Sequence, residues 1–111
     1  MIKRISIARK RADLSREQFV GHWLGPHADI ARRVPGLRGY VVLVANEPEA
    51  AGCDGIAIAW FDSREAAEAG FSSEPIHSAL AADRPLFLKE VRVFFAEEHV
   101  VVPPPDADPA F

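Results

Sequence analysis

Polar and apolar side chains alternate at the start of the chain, as they do along a β-strand. Within residues 2–9, one side of the alternation carries Ile5 and Ile7 and the other carries Arg4, Ser6 and Ala8. Three further segments are rich in β-branched and aromatic residues. They predict strands over residues 37–46, 54–62 and 88–102.

A helical pattern follows the first strand. Ser15 is a good N-cap, and Gln18 stands three residues later, as in a capping box. The next residues repeat at helical spacing and form one stripe of Phe19, Trp23, His27, Ile30 and Val34. Pro26 removes a backbone hydrogen bond, so we expect a kink there, and the pair at 35–36, Pro-Gly, should end the helix.

A second helical region lies between the third and fourth predicted strands. Asp62 or Ser63 can cap it, and Pro75 should divide it into two parts. The order of elements is therefore βαββαβ, which predicts an α+β, ferredoxin-like fold with a four-stranded antiparallel sheet and helices on one face. Residues 103–111 are proline-rich and have no core pattern, so we expect a tail beyond a domain at residues 1–102.

Both faces of the predicted sheet are apolar, although the helices can cover only one. The alternating sets are Leu37, Gly39, Val41, Leu43 and Ala45 against Tyr40, Val42 and Val44; Ile56, Ile58 and Trp60 against Ala57, Ala59 and Phe61; and Val91, Val93 and Phe95 against Phe94 and Ala96. An uncovered face of this kind would exceed the few hundred Å² of apolar patch that is typical of monomers. We therefore expect a homodimer in which two sheets face each other.

Composition narrows the possible partners. The 111 residues are 49% hydrophobic and 26% charged, which is typical of one globular domain. The net charge is −3 and no basic patch stands out, so nucleic acid is not an expected partner. No apolar run approaches the roughly 20 residues that span a bilayer, so a membrane is not expected either. The basic residues near the start are interpreted as charges at the edge and end of a strand: Lys3, Arg4, Arg9, Lys10 and Arg11. No signal peptide is apparent and Cys53 is the single cysteine, which favours a cytoplasmic protein.

Histidines are the candidates for chemistry. His27 lies on the apolar stripe, where burial lowers the pKa of an imidazole and leaves a neutral base for a phenol or carbon acid. The alternative is a buried histidine bonded to a backbone carbonyl that Pro26 frees. In an α-helix His22 is rotated by about 140° from His27 and is predicted at the surface or at an edge. His77 is predicted to face solvent, with a place at the mouth of the pocket as the alternative, and His99 is predicted to serve the dimer edge. No metal-ligand spacing, phosphate loop or dinucleotide fingerprint occurs, so we expect no metal and no cofactor.

Aromatic residues are candidates for binding a ligand. Such rings are usually core residues, but a pocket built from them suits a flat aromatic molecule. Tyr40 adds a hydroxyl group that can bond a substrate oxygen. The candidate substrate-binding residues are Trp23, Tyr40, Trp60, Phe19 and Phe87.

Several motifs resemble the EthD domain family of the dimeric α+β barrel superfamily. They are RKRADLSREQFVGHWLGPHADIARRVPGLRGY, DGIAIAWFDSREA, the spacing of Asp83 and Phe87, and EEHVV, and the resemblance spans residues 2–102. It implies a small apolar substrate between sheet and helices, as in similar cofactor-free monooxygenases, polyketide cyclases and muconolactone isomerases. Members of the family often carry a glutamate where this chain has Ile58.

Three functions remain open at the level of sequence. The first is a cofactor-free, oxidoreductase-like enzyme on a hydrophobic, aromatic or polyketide-like metabolite, in which His27 starts proton transfer or oxygenation and Tyr40 or Trp60 orients the substrate. The second is a non-catalytic accessory protein that binds a hydrophobic compound for its degradation. The third is a purely structural dimer. The missing glutamate at Ile58 favours the second function over the first.

Overall fold

The structure, a computed structural model, describes residues 1–105. Its strands are β1 (Ile2–Lys10), β2 (Gly39–Val44), β3 (Gly55–Phe61) and β4 (Leu88–Glu97). Its helical segments are α1 (Arg16–His22), a π-helical turn (Trp23–His27), α2 (Ala28–Ala31), α3 (Pro48–Ala51), α4 (Arg64–Ser72), α5 (Ile76–Asp83) and a 3₁₀ turn (Arg84–Leu86). The sheet has the order β2-β3-β1-β4, with every neighbouring pair antiparallel, which confirms the α+β, ferredoxin-like prediction.

The first helical region begins as predicted and continues differently. The Gln18 backbone N–H donates to Ser15 Oγ at 3.1 Å, and the Ser15 N–H donates to Gln18 Oε1 at 2.9 Å, which completes the capping box. At Pro26 the chain forms a π-helical turn in place of a simple kink. The final helical segment ends at Ala31, before the predicted stop at Pro35.

Other predicted boundaries also shift. The strands β2 and β3 are shorter than predicted, and β4 ends at Glu97 and does not reach residue 102. The loop before β3 contains the short helix α3. The second helical region is divided as predicted, and Ser63 caps its first part, because Ser63 Oγ accepts from the Ala66 N–H at 3.1 Å. Within residues 1–105 no helix is both long and apolar enough to cross a membrane.

The register of β1 decides which of its side chains the helices cover. Arg4 pairs with Ala59 and Ser6 pairs with Ala57, and both alanines are buried in the core beneath the helices. Residues paired across neighbouring strands share a face. Arg4 and Ser6 therefore face the helices from a central strand, and the interpretation of Arg4 as a charge at a strand edge is wrong.

The opposite side of the sheet, here called the open face, is left without a helix. Lys3 and Arg92 lie on it with a larger apolar set: Ile5, Ile7, Val41, Leu43, Ile56, Ile58, Trp60 and Phe94. Val41, Leu43 and Phe94 are 42%, 50% and 48% exposed. The two central isoleucines of β1, Ile5 and Ile7, are thus turned away from the helices.

Candidate active site

His27 lies at the end of the π-helical turn and is only 8% exposed. Its Nδ1 atom is 2.8 Å from Oδ2 of Asp83, the last residue of α5. The alternative of a histidine tied to a backbone carbonyl at the kink is therefore not what the structure contains. A carboxylate only accepts hydrogen bonds, so the shared proton belongs to Nδ1 when the imidazole is neutral.

Asp83 holds a second histidine with its other oxygen. Oδ1 of Asp83 is 2.9 Å from Nε2 of His22, and the aspartate is 7% exposed. The ring of Phe87 packs against both imidazoles, with centroid distances of 4.7 Å to His22 and 4.8 Å to His27. We call His22, Asp83 and His27 the carboxylate–histidine cluster.

The π-helical turn explains why two histidines five residues apart meet one carboxylate. In a regular α-helix they would be about 140° apart, and the prediction of His22 at the surface was based on that geometry. A π-helix bonds residue i to residue i+5, so side chains five apart come onto the same side. His22 is half-buried, with 23% of its side chain exposed, so the predicted surface or edge position holds only in part. The predicted separation from His27 is wrong, because the backbone at Trp23–His27 is not α-helical.

The protonation of His27 follows from its surroundings. Burial is the largest influence and lowers the pKa of His27 below 6.5, although the hydrogen bond to Asp83 acts in the opposite direction. Arg84 and His22 lower the pKa further. At neutral pH the ring is neutral, and Nε2 carries a lone pair that has no hydrogen-bond partner among residues 1–105.

His27 contributes to the wall of a cavity of about 200 Å³ between the sheet and the helices. Its floor includes Ala57 and Ala59 of β3, and rings of Trp23, Phe71 and Phe87 form part of the wall. The polar side chains at the cavity are Arg4, Ser6, His27, Tyr40 and Arg84. The cavity therefore combines aromatic walls, one neutral base and two cations.

Tyr40 supplies a hydroxyl group on the same wall. Burial raises the pKa of Tyr40 above 10.0, while the Trp23 side chain and the two cavity arginines act in the opposite direction. The phenol therefore keeps its proton at neutral pH and can donate a hydrogen bond to an oxygen in the cavity.

Comparison with known proteins assigns the family. Residues 11–90 match the model of the EthD domain. The chain belongs to the EthD domain family. Among curated proteins, no sequence matches this EthD-domain chain.

Solved structures share the fold of this EthD-domain protein at low sequence identity. An ethyl tert-butyl ether D (EthD) family protein from Bacillus halodurans is 22% identical, with a TM-score of 0.75 over 89% of this chain and 99% of that one. A dimeric ferredoxin-like protein of unknown function from Thermobifida fusca is 18% identical, with a TM-score of 0.63 over 86% and 88%. A candidate antibiotic biosynthesis monooxygenase from Nitrosomonas europaea is 16% identical, with a TM-score of 0.63 over 88% and 98%.

The aromatic residues singled out in the sequence fall into three places in the EthD domain. Trp23, Tyr40 and Phe87 line the cavity. Phe19 is buried behind it, with ring centroids 5.2 Å from Trp23 and 5.8 Å from Phe87. Trp60 does not reach the cavity, because its position in β3 alternates with the alanines of the floor and puts the indole on the open face.

The remaining histidines lie away from the cavity. His77 is exposed and its Nδ1 lies 3.1 Å from the Phe71 carbonyl oxygen, in agreement with the solvent-facing prediction. His99 is exposed after the end of β4, and its Nε2 atom lies 3.2 Å from Oε2 of Glu97. Within residues 1–105 no three His, Cys, Asp or Glu side chains are placed to hold a metal ion.

Four polar residues at the site were not among the sequence candidates: Arg4, Ser6, Asp83 and Arg84. A signal existed for β1, because Arg4 and Ser6 alternate with the isoleucines and one of the two sets had to face the helices. Asp83 was part of the family resemblance only through its spacing from Phe87. Neither signal identified a role.

Proposed function

We propose that this EthD-domain protein catalyses proton transfer on a small hydrophobic metabolite, with His27 as the base. The observation that carries the proposal is the bond from His27 Nδ1 to buried Asp83, with the ring at the cavity wall. This arrangement leaves Nε2 as the lone-pair nitrogen, as in the histidine of a catalytic triad.

The reaction uses only groups that the chain provides. Nε2 of His27 takes a proton from a C–H or O–H of the substrate, and Asp83 stabilises the imidazolium that forms. The Tyr40 hydroxyl donates to the substrate oxygen on which negative charge develops. Trp23 and Phe87 hold the flat body, which supports an aromatic or polyketide-like substrate. The same deprotonation can begin a cofactor-free oxygenation, for which the fold shared with the Nitrosomonas protein is coarse support.

The accessory function loses the observation that favoured it. Ile58 lies on the open face, across the sheet from His27, so the missing glutamate removes no carboxylate from this cavity. Asp83 instead provides a carboxylate beside the base. A binding protein without catalysis therefore becomes one outcome of the test below.

Deuterium exchange tests the proposal directly. The bicyclic ketone 2-tetralone has acidic C–H groups next to its carbonyl, and NMR follows their exchange in D₂O. The protein should accelerate exchange, and His27→Gln should reduce the acceleration by about 10²-fold or more, the usual contribution of a general base. Asp83→Asn should reduce it too, because the asparagine amide cannot stabilise the imidazolium. His77→Gln, an exposed histidine outside the cavity, is the matched control and should leave the rate unchanged.

Two results would contradict catalysis by His27. Exchange that survives in His27→Gln would remove the base from the mechanism. Saturable binding of 2-tetralone with no accelerated exchange in the unaltered protein would favour the accessory function.

We also infer that the protein is a homodimer in which two open faces pack together. The exposure of Val41, Leu43 and Phe94 supports this, because an isolated subunit would present these side chains to water. The similar protein from Thermobifida fusca is described as dimeric. A twofold contact through the open face leaves the cavity in each subunit intact, because the two lie on opposite sides of the sheet.

A further inference from the structure

Two arginines face the cavity without a carboxylate partner. Among residues 1–105, Arg4 and Arg84 form no ion pair, whereas Arg38 and Arg64 on the surface each bind an acidic side chain at 3.0 Å. Arg4 donates one hydrogen bond to Ser6 Oγ at 3.2 Å. Its guanidinium carbon lies 3.9 Å from the centre of the Phe71 ring, within range of a cation–π interaction.

Among residues 1–105, Asp83 forms no ion pair with either arginine. Both of its oxygens are occupied by imidazoles, one from His22 and one from His27. The neighbouring Arg84 forms no side-chain hydrogen bond among residues 1–105. Among the lining residues that the structure describes, the cavity therefore holds two positive charges and no carboxylate.

Burial disfavours the charged form of both arginines, and at Arg4 the like charge of Arg84 adds to this effect. Burial, and next the charge of Arg84, lowers the pKa of Arg4 to about 10. Burial also lowers the pKa of Arg84. Both groups remain charged at neutral pH, so each lies partly desolvated beside a like charge. Within residues 1–105, Tyr40 is the only other side chain that shifts the pKa of both arginines, and its phenol is neutral at that pH.

We propose that the cavity binds an organic acid, whose carboxylate is held by Arg4 and Arg84 while its flat apolar body lies against Trp23 and Phe87. Ser6 and Tyr40 provide hydroxyl groups on the same wall. The proposal narrows the substrate class of the proposed function and rests on it only in taking this cavity as the site. Two guanidinium groups match a carboxylate because each offers parallel N–H donors to its oxygens.

The aromatic walls separate an organic acid from a simple inorganic anion. Apolar side chains at the cavity include Trp23, Phe71, Leu80 and Phe87, and none of them favours phosphate or chloride. Burying an apolar body against them contributes affinity that an inorganic ion cannot gain. The expected ligand therefore carries a carboxylate and a flat apolar body in one molecule.

A matched pair of ligands isolates the charge. 2-Naphthoate and 2-naphthamide share the same body and differ in the carboxylate, and calorimetric titration measures both. The protein should prefer the acid by roughly 10-fold or more, the usual effect of a charge-assisted hydrogen bond. Arg4→Gln and Arg84→Gln should each lose most of that preference, and Arg84→Lys should keep part of it. Arg38→Gln removes an arginine charge from an exposed position outside the cavity, so this variant should keep the full preference for the acid.

Several outcomes would overturn the proposal. Equal affinity for acid and amide would do so, as would a preference that persists in the Arg4→Gln, Arg84→Gln double variant. Lack of binding of both ligands at millimolar concentration would also count against it. Inorganic phosphate that competes as well as naphthoate would replace the organic acid with a simple anion. Melting curves of each variant check that a loss of binding is not a loss of fold.

The test of carboxylate binding can fail or succeed independently of the test of proton transfer. His27→Gln should abolish exchange of 2-tetralone yet retain the preference for naphthoate, because the carboxylate is held by the arginines. Arginine-dependent binding without exchange would leave the anion site standing and remove the catalytic proposal. Accelerated exchange of 2-tetralone together with equal affinity for naphthoate and naphthamide would support catalysis and remove the anion site.

Discussion

On the side of the sheet that the helices cover, β1 presents Arg4 and Ser6, whereas on the open face it presents Ile5 and Ile7. At the centre of β1 two polar side chains are enclosed between sheet and helices while two isoleucines face outward, although Ile2 and Ala8 also face the helices and Lys3 shares the open face. A strand that only stabilised its own subunit would show the reverse arrangement, because burying polar groups is unfavourable and burying apolar groups is favourable.

The difference between the two faces assigns each a separate task. Arg4 is near a second arginine at a cavity that also contains the neutral imidazole of His27, which supports the proposal that this face binds a ligand. The open face has apolar side chains on all four strands, which supports the proposal that it packs against a second copy. Substitutions on the two faces should therefore fail in different ways.

The largest effect is expected from a charge at the centre of the open face. Ile5 lies on β1 between Ile58 and Phe94 of the neighbouring strands. Ile5→Glu would bury an unpaired carboxylate in the dimer and should cost several kcal/mol, so the protein should dissociate or unfold. Light scattering after gel filtration measures the mass, and denaturant titration measures the free energy of unfolding.

Leu24→Glu is the matched control, because Leu24 is a 52% exposed apolar residue on the helical side. It should change the mass and the stability little. An unaltered protein that runs as a stable 12.2 kDa monomer would contradict the assignment of the open face to a partner.

A smaller loss is expected at the carboxylate–histidine cluster. Asp83→Asn keeps the size of the side chain but replaces one accepting oxygen with a donor amide, so one of the two imidazoles loses its acceptor. The free energy of unfolding should fall by about 1–3 kcal/mol, the usual effect of an unsatisfied buried polar group. The dimer mass should not change. Asp29→Asn, an exposed carboxylate on α2, is the control for denaturant titration. Equal stability of Asp83→Asn and the unaltered protein would show that the cluster is not held by these bonds.

A still smaller effect is expected from acid, through His27. Its pKa in the folded protein is below the 6.5 of the unfolded chain, so the unfolded state binds more protons between those two values. Stability from this group is complete above pH 6.5 and is lost as pH falls through the folded pKa. Asp83 favours the imidazolium, while Arg84 and His22 disfavour it.

Denaturant titrations between about pH 5 and pH 7.5 measure this dependence while staying above the range of most carboxylates. His27→Gln should flatten the slope of stability against pH. An unchanged slope would mean that His27 does not titrate differently in the folded protein. His99→Gln, an exposed histidine, should keep the original slope.

Local sequence signals were sufficient for the fold but not for the cavity. The capping box of Ser15 and Gln18 and the period of two along β1 depend on neighbours within a few residues. The position of Arg4 depends instead on its register with Ala59, which decides which face of the strand the helices cover. Periodicity identifies two faces and cannot say which of them is enclosed.

The cluster illustrates a second limit. His22 and Asp83 are 61 residues apart in sequence, and they meet because the backbone around Pro26 is π-helical and α5 ends beside it. A helical wheel with 3.6 residues per turn therefore places His22 away from His27. His27 could be identified from the sequence because it lies on the apolar stripe whether the backbone is α-helical or π-helical.

The smallest effect is expected from deleting residues 103–111. The last strand ends at Glu97, and Val100, Val101 and Val102 before the deletion are 57%, 91% and 79% exposed, so this end of the described chain adds little to the core. Residues 106–111 lie outside the described residues. The four prolines of the segment have no backbone N–H to donate. Scanning calorimetry of the full and truncated chains should give melting temperatures within about 2 °C, well under the 4–8 °C that about 1 kcal/mol produces in a domain of this size. A larger fall would mean that the deleted segment covers apolar surface of the domain.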